Sequence, residues 1–246
     1  MPASSGPSVR LFITSDLAEG LTHDCDPNQI NYLAAVLRLD VGEEVLAFNG
    51  RDGEWLVQIA GIGRRTCRLQ ALKSVRPQTK GQDLHYLFAP LKRSRLDYMV
   101  QKATELGVSR LRPVLTRRSQ AERVNLDRMR ANAMEAAEQC GVLAVPAVAE
   151  PEKLERVLSA WDAGRQLIFC DEAADLAGPL EALARLLPGP MAVLIGPEGG
   201  FTVEERDALV RLPFVTRLSL GPRIMRADTA AVAALALVNA VVGDWR

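Results

Sequence analysis

The chain has 246 residues, with 30 Lys and Arg balanced by 30 Asp and Glu, and 48% of its residues are hydrophobic. This length can bury a substantial core and exceeds the usual size of one domain. The polar start of the chain has no apolar core of a signal peptide, and no stretch reaches the length of a membrane span. The four cysteines show no Cys-x-x-Cys spacing, so we expect neither a zinc site nor a disulfide framework, and we expect a cytoplasmic protein.

The first third of the chain predicts several short strands and one helix. The strands are expected at 8–13, 44–48, 54–62 and 66–75. The helix begins after Asp26 with Pro27 in its first turn, and an apolar stripe at helical spacing runs from Ile30 to Leu37. Many short strands with one helix favour a small β-barrel, which we assign to residues 1–75, followed by a linker at 76–82.

From residue 83 onward the pattern alternates between strands and helices. Strands are predicted at 84–89, 110–115, 166–170, 191–195 and 215–219. Helices are predicted at 95–106, 125–139, 152–163, 175–186, 202–211 and 229–242. This alternation predicts an α/β domain over 83–246, with a mostly parallel sheet covered by helices on both faces. Ligands of such sheets bind at the carboxyl ends of the strands.

The neutral net charge of the chain conceals a basic segment. Residues 83–130 hold eleven Lys and Arg against five Asp and Glu. Clustering of this kind indicates a nucleic-acid partner. The residues expected to contact RNA are Lys92, Arg93, Arg95, Lys102, Arg117 and Arg118, together with Arg223 further along the chain. For Arg123, Arg128 and Arg130 a solvated helix face is the favoured interpretation.

The predicted strand Met191–Ile195 runs into a glycine-rich turn at 196–200. Glycines let the backbone turn sharply and approach a ligand closely. Glu198 would repel a phosphate, and no Gly-Lys-Ser/Thr follows, so a P-loop is excluded and the turn suits hydroxyl, amino or cationic groups. Thr202 and Glu205 then fit a capping box that opens the next helix.

A second turn, at 220–228, carries three charged residues: Arg223, Arg226 and Asp228. It precedes a helix, Thr229–Val242, that contains no charged residue and is therefore expected to be buried. Charges at the start of a buried helix are costly unless they pair or act on a ligand. They therefore form either a structural Arg226–Asp228 pair or part of a site.

Four blocks of the sequence, in this order, resemble the motifs of the RsmE family. The blocks are Lys92–Arg95 with Gln101–Val108, Glu135–Gly141, Leu194–Thr202 and Leu220–Ala230. The family comprises S-adenosylmethionine-dependent methyltransferases that modify uridine at N3 in 16S ribosomal RNA. The resemblance covers nearly the whole chain. The chain departs from the usual motifs with Asn31 in place of a frequent His, Val142 in place of Arg and Asp228 in place of Glu.

This resemblance implies a fold and a set of partners. The fold would be a SPOUT α/β domain with a C-terminal trefoil knot, preceded by a PUA-like RNA-binding β-barrel. The partners would be ribosomal RNA or the small ribosomal subunit and a second copy of the chain, with no metal and no membrane. S-adenosylmethionine would be the cofactor, bound by the backbone of the two turns.

The site residues follow from the same resemblance. The cofactor is expected to contact Leu194, Ile195, Gly196, Pro197, Glu198, Gly199, Gly200, Ser219, Leu220, Gly221, Ile224, Met225, Thr229 and Ala230. Uridine N3 becomes a nucleophile only after it loses its proton, and the resulting charge spreads onto O2 and O4. Arg226 is the candidate that stabilises this anion, in the manner of an oxyanion site. Asp228 either orients Arg226 or accepts the proton.

Three other interpretations compete with this one. A SPOUT enzyme could methylate a ribose 2′-hydroxyl or another base, or the chain could be a non-catalytic RNA-binding assembly factor. A nucleotide-binding oxidoreductase is disfavoured because Gly-x-Gly-x-x-Gly is absent. Cys140 is expected to pack in the interior rather than attack the base, because nitrogen needs no covalent activation.

Overall fold

The computed structural model describes residues 9–120, 123–174 and 178–245. Residues 1–8 of the predicted barrel domain and 175–177 of a predicted helix lie outside this part. The chain forms two compact units, one of residues 1–80 with 137–145 and one of residues 81–136 with 146–246. The boundary at 80 falls within the predicted linker, whereas 137–145 pack with the first unit although we assign them to the second domain from the sequence.

The first unit is built on a barrel-like sheet of five strands, in the order β1-β3-β4-β5-β2. The strands are β1 (Arg10–Phe12), β2 (Thr22–Asp24), β3 (Glu44–Phe48), β4 (Glu54–Ile62) and β5 (Cys67–Arg76). β1 runs parallel to β3, and the other neighbours are antiparallel. Four of these strands match the predicted ones. β2 was not predicted, because three residues are too few for a period-2 pattern.

The helix predicted after Asp26 is confirmed. α1 (Pro27–Ile30) begins with a capping box in which the Asp26 carboxylate accepts hydrogen bonds from the amides of Asn28 and Gln29. The chain then continues as a π-helical segment, Asn31–Val36, rather than as the α-helix that the apolar stripe predicted. Leu33 of this segment is fully buried in the core of the unit.

Residues 137–145 join the first unit through a buried guanidinium. Arg10 donates to the carbonyl oxygens of Ala137, Glu138 and Val142, and its charge is balanced by Glu54, whose Oε1 lies 2.6 Å from its Nε. The guanidinium also stacks on the ring of Phe48, 4.4 Å from the centroid. These contacts satisfy carbonyl groups at the end of a helix, which have no partner within the helix itself.

The second unit contains a parallel sheet in the order β12-β10-β11-β6-β7-β8, with β9 also paired to β7. The strands are β6 (Leu84–Phe88), β7 (Arg110–Leu115), β8 (Ala147–Val148), β9 (Glu152–Lys153), β10 (Gln166–Cys170), β11 (Met191–Ile195) and β12 (Val215–Leu218). Every pairing is parallel. The predicted α/β class is thus confirmed. The trefoil knot stays a prediction, because strand order alone does not define how the chain is threaded.

Six helices follow in the described residues. They are α2 (Arg93–Glu105), α3 (Leu126–Cys140), α4 (Leu154–Ser159), α5 (Pro179–Ala184), α6 (Val203–Val210) and α7 (Ala227–Val241). The helix predicted from 152 starts later, because Glu152 and Lys153 pair with β7. No helix in the described part of the chain is long and apolar enough to cross a membrane.

α7 is buried on one face only, so the prediction of a fully buried helix was wrong. Its buried face includes Ala234, Leu235 and Val238, whereas Val232 and Leu237 are half-exposed. The helix is tied down by a fully buried polar side chain, Asn239. Its Nδ2 donates to the carbonyl of Leu106 at 2.8 Å, and its Oδ1 accepts from Gln82 Nε2 at 2.6 Å.

Candidate active site

A cavity of about 890 Å³ opens where β10, β11 and β12 end. Both turns singled out in the sequence line it, as does the start of α7. The predicted cofactor residues that line it are Ile195, Gly196, Pro197, Glu198, Gly200, Ser219, Leu220, Gly221, Ile224, Met225 and Ala230. Leu194 lies in the core behind the cavity, and Gly199 and Thr229 are not among the lining residues. The prediction that the two turns form one pocket is confirmed.

Two glycines of the first turn have no room for a side chain. A Cβ at Gly196 would lie 2.5 Å from the ring of Phe201. Gly200 has φ +66°, and a Cβ there would lie 2.8 Å from Glu172 Oε1. By contrast, a Cβ at Gly199 would make only ordinary contacts of 3.7 Å with the side chain of Arg118. The conformation of this turn therefore requires glycine at 196 and 200.

The predicted capping box at the start of α6 is confirmed and extends further than expected. Thr202 Oγ1 accepts from the Glu205 amide at 3.2 Å, and Glu205 Oε2 accepts from the Thr202 amide at 2.9 Å. The other carboxylate oxygen, Oε1, accepts from the amide of Arg117 at 2.8 Å. Buried Glu205 therefore joins the loop after β7 to the loop after β11.

Arg118, predicted to contact RNA, lies in the cavity wall. Its Nη1 donates to the carbonyl oxygen of Gly199 at 2.8 Å. The glycine-rich turn is therefore held from two sides, by Glu205 at the helix and by Arg118 at the turn itself. Sequence reasoning placed Arg118 with RNA because charge clustering alone does not show which way a side chain points.

Asp171 is a site residue that the sequence did not reveal. It follows β10, lines the cavity and is only 4% exposed. Its carboxylate accepts from Arg206 Nε at 3.0 Å and from Arg217 Nε at 2.8 Å. Burial opposes ionisation of Asp171, but these hydrogen bonds and one from the Ala173 amide hold the pKa of its carboxyl below the usual value. The ionised carboxylate of Asp171 therefore connects the end of β10 to α6 and β12.

Two more carboxylates line the cavity. Glu198 Oε1 lies 3.5 Å from Arg95 Nη1, so one of the predicted RNA residues contacts the cofactor turn. Glu172 has no ion-pair partner within the described ranges. Its carboxylate is therefore available to hydroxyl or amino groups of a ligand.

The second turn presents its side chains to solvent. Ile224 is 91% exposed, and exposed Arg223 lines the cavity. Arg226 is also exposed and precedes α7 in an extended conformation. No ion pair joins Arg226 to Asp228 in the part of the chain that the structure describes, so the structural pair considered from the sequence does not form.

Asp228 lies in the first turn of α7 and follows the cavity residue Ala227 in the chain, but neither Asp228 nor Arg226 is among the residues that line the cavity. Asp228 is half-buried, and one of its oxygens accepts from the Thr229 amide at 3.0 Å. Burial, Cys170 and Asp228 raise the pKa of Tyr86, a fully buried residue of β6. Asp228 is thus close to the interior of the unit, whereas Arg226 faces water.

The remaining basic residues differ in how far their charge is already paired. Lys92 and Arg93 are exposed at the start of α2. Lys102 binds Glu105 at 2.7 Å, and Arg117 lies 3.5 Å from Glu155 and 3.6 Å from Glu204. The prediction that Cys140 packs in the interior was wrong, since it is exposed at the end of α3.

The chain resembles known proteins over both units. Residues 78–239 match the RNA methyltransferase domain family, and residues 25–72 match the RNA methyltransferase PUA domain family. Ribosomal RNA small subunit methyltransferase E of Rickettsia conorii is 30% identical over 232 residues, 94% of each chain. The Synechocystis protein of the same name is 31% identical over 256 residues, 96% of this chain and 78% of its own. A candidate methyltransferase of Legionella pneumophila, solved with the bound cofactor SAM, is 26% identical, with a TM-score of 0.83, 94% of this chain and 97% of that chain covered.

Proposed function

Because this chain belongs to the RNA methyltransferase family that includes ribosomal RNA small subunit methyltransferase E, we propose that it methylates N3 of a uridine in 16S ribosomal RNA, with S-adenosylmethionine as donor. The observation that carries the proposal is the cavity where β10, β11 and β12 end, lined by both predicted turns. An assembly factor without activity would have no need of such a pocket. Because its proposed substrate is ribosomal RNA, we propose that the protein acts in the cytoplasm.

The cavity fits S-adenosylmethionine in size and in charge. Its volume of about 890 Å³ is within the usual range of ligand pockets, about 300–1,000 Å³. Gly196 and Gly200 leave backbone exposed where a side chain would not fit, so backbone groups can contact adenine and ribose. The carboxylate of Glu172 suits ribose hydroxyls or the amino group, and Arg118 keeps the turn in place.

When bound, the cofactor supplies a methyl group on a positively charged sulfur. The residues of this chain have to align the uridine nitrogen with that carbon, which is where orientation accelerates a reaction most. The exposed side chains around the cavity mouth, Arg223, Ile224 and Arg226, are placed to hold the base. Lys92 and Arg93 contact the RNA backbone in this proposal.

Proton removal from N3 is assigned to Asp228. Asp228 follows the cavity residue Ala227 in the chain and forms no ion pair with Arg226 in the described residues, so its carboxylate is available as a base rather than as an orienting group. Arg226, which is exposed and free to move onto the base, stabilises negative charge on O2 or O4. The two residues then act on the same base from the start of α7.

A second copy of the chain completes the proposal. Beyond the first turn, which contains Asp228, the half-exposed face of α7 carries no charge, and apolar faces of this kind are typical of contacts between subunits. We therefore propose a homodimer formed through α7.

The decisive experiment locates the methyl group. Purified protein is incubated with labelled S-adenosylmethionine and either 16S RNA or small subunits, and digested RNA is analysed by mass spectrometry. We expect label on a uridine base at N3, and loss of that modification in a strain without the protein. Label on a ribose 2′-hydroxyl or on another base would contradict the proposal, and no label with either substrate would contradict enzymatic function.

A further inference from the structure

A second basic surface lies at the other end of the parallel sheet, away from the cavity. Arg110 and Arg112 are two positions apart on β7, so their side chains lie on the same face. The register places His85 of β6 opposite Arg110. Arg110 is exposed, and Arg112 is half-buried. These residues belong to the amino-terminal halves of their strands, whereas the cavity lies where strands end.

Neither arginine forms a direct ion pair with a described residue, although Glu152 acts on Arg112 and Asp83 interacts with Arg110 at longer range. Two ion pairs lie nearby: Arg165 with Asp83 at 2.8 Å, and Arg156 with Glu152 at 3.0 Å. Within 9–120, 123–174 and 178–245, neither Arg110 nor Arg112 has an ion-pair partner. Within those ranges the charges of these two arginines are therefore not taken up in ion pairs.

The positive charge of this surface contributes to lowering the pKa values of His85 and Arg112. Burial, followed by Arg165, Arg110 and Arg112, lowers the pKa of His85 to about 4, although Asp83 Oδ1 lies 3.4 Å from its Nε2. His85 is therefore neutral at pH 7, and its buried Nδ1 has no hydrogen-bond partner among the described residues. Burial and Arg110 also lower the pKa of Arg112. An anion at this surface would offset the contribution of the arginines to both shifts, which comes in addition to the larger effect of burial.

Arg112 is held in place before any ligand arrives. Its guanidinium carbon lies 5.9 Å from the centroid of the Trp161 ring. That ring stacks on Phe214 at 5.6 Å, and its Nε1 donates to the carbonyl of Arg165 at 2.8 Å. A guanidinium fixed over an aromatic ring loses less freedom when it binds, which favours affinity.

We propose that Arg110 and Arg112 form a second RNA-binding surface, which contacts phosphate groups of the same ribosomal RNA whose uridine enters the cavity. The inference rests on the proposed function. Guanidinium groups bind phosphates through two parallel hydrogen bonds, and each phosphate so neutralised releases counterions. A strand of five or six residues spans about 17–20 Å, so the RNA must extend at least that far beyond the modified base.

The test uses a pair of double variants with equal charge loss. Arg110→Gln with Arg112→Gln removes the proposed contacts. Arg128→Gln with Arg130→Gln is the control, because these arginines of α3 already pair with Asp97 and Asp127. Binding of a 16S transcript is measured against salt concentration. In the first variant we expect the slope of log K against log salt to become less negative by about 1.4, because two contacts to single-stranded RNA are lost. In the control we expect the slope to stay unchanged.

Two further measurements separate this surface from the active site and from a folding defect. Calorimetry should show equal S-adenosylmethionine affinity in all three proteins, and the pKa of His85, followed by NMR, should rise when RNA is added to the wild type. A slope equal to that of the control, with a His85 pKa insensitive to RNA, would overturn the inference. Failure of the proposed function would look different, since the wild type itself would then bind no RNA or leave it unmethylated.

Discussion

At the scale of single residues, the cavity shows which positions of a motif have a physical task. Gly196 and Gly200 lack space for a side chain, whereas Gly199 does not, although all three belong to one turn. Asp228 and Arg226 differ in exposure, because Asp228 is half-buried and Arg226 is exposed. Residues of the same sequence motif thus differ in the space and the solvent around them, and these differences predict different roles.

The glycine turn gives a matched pair of substitutions. Gly200→Ala should weaken S-adenosylmethionine binding about tenfold, because a side chain in the left-handed region costs about 1–2 kcal/mol and the new Cβ would meet Glu172, 2.8 Å from its Oε1. Gly199→Ala should bind normally. Calorimetry in the presence of a chelator measures both, and equal affinities would exclude close backbone approach at Gly200.

The roles of Arg226 and Asp228 are separated by activity against pH. Arg226→Ala should lower turnover by about 10²–10³, the usual loss for one donor of an oxyanion site, with little change in cofactor affinity. Asp228→Asn should also lower turnover, but its defect should shrink as pH rises, because uridine then loses its N3 proton without a base. A defect that does not depend on pH would show that Asp228 orients Arg226 instead of accepting the proton. Full activity of a folded Arg226→Ala variant would contradict the mechanism and make Glu198 and Arg223 the next candidates.

At the scale of elements, the site depends on side chains that tie loops to one another. Glu205 joins the loops after β7 and β11, and Asp171 joins β10 to α6 and β12. Both carboxylates are buried. A buried carboxylate shared between elements stabilises the cavity only while it remains ionised.

Asp171 therefore makes stability depend on pH. Its pKa is lowered in the folded state, so its contribution is present above the unfolded value of about 3.9 and is lost as pH falls below it. Asp171→Asn should cost about 2–3 kcal/mol at pH 7, less than a fully buried pair because both arginines are partly exposed. Urea unfolding at pH 7 and pH 3 checks this. The difference between Asp171→Asn and wild type in the free energy of unfolding should be smaller at pH 3. Asp127→Asn, which removes an exposed ion pair, should change the free energy of unfolding little at either pH.

Local patterns predicted elements well and missed what distant residues bring together. The capping residues Thr202 and Glu205 are three positions apart, so the sequence alone revealed the start of α6. Asp171 could not be found in this way, because Arg206 and Arg217 are 35 and 46 positions away. No glycine-rich turn follows β10 to mark Asp171 as a cavity residue. The π-helical winding of 31–36 was missed because apolar spacing does not distinguish it from an α-helix.

At the scale of the whole molecule, three surfaces of the described residues have no partner within one chain. The cavity mouth and the Arg110–Arg112 surface carry exposed charge, whereas α7 carries an uncharged face. The charged surfaces suit RNA, and the uncharged one suits a second copy. RNA binding and dimer formation therefore use different parts of the second unit.

The dimer is tested by a charge placed on α7. Ala240→Arg introduces a cation at an exposed position of the proposed interface, where burial of an unpaired charge is costly. Sedimentation should show dimers for the wild type and monomers for this variant. Ala160→Arg, at an exposed alanine after α4, should remain dimeric. A monomeric wild type would exclude the homodimer.

The hydrogen bonds of Asn239 affect how the protein folds during its synthesis. They join α7 to Gln82 and Leu106, residues 157 and 133 positions earlier in the chain. A growing chain on the ribosome therefore exposes β6 and α2 long before their last partner is made. Because contacts between distant positions form slowly, the second unit should finish folding only after translation passes α7, and should be most vulnerable to proteases and most dependent on chaperones until then.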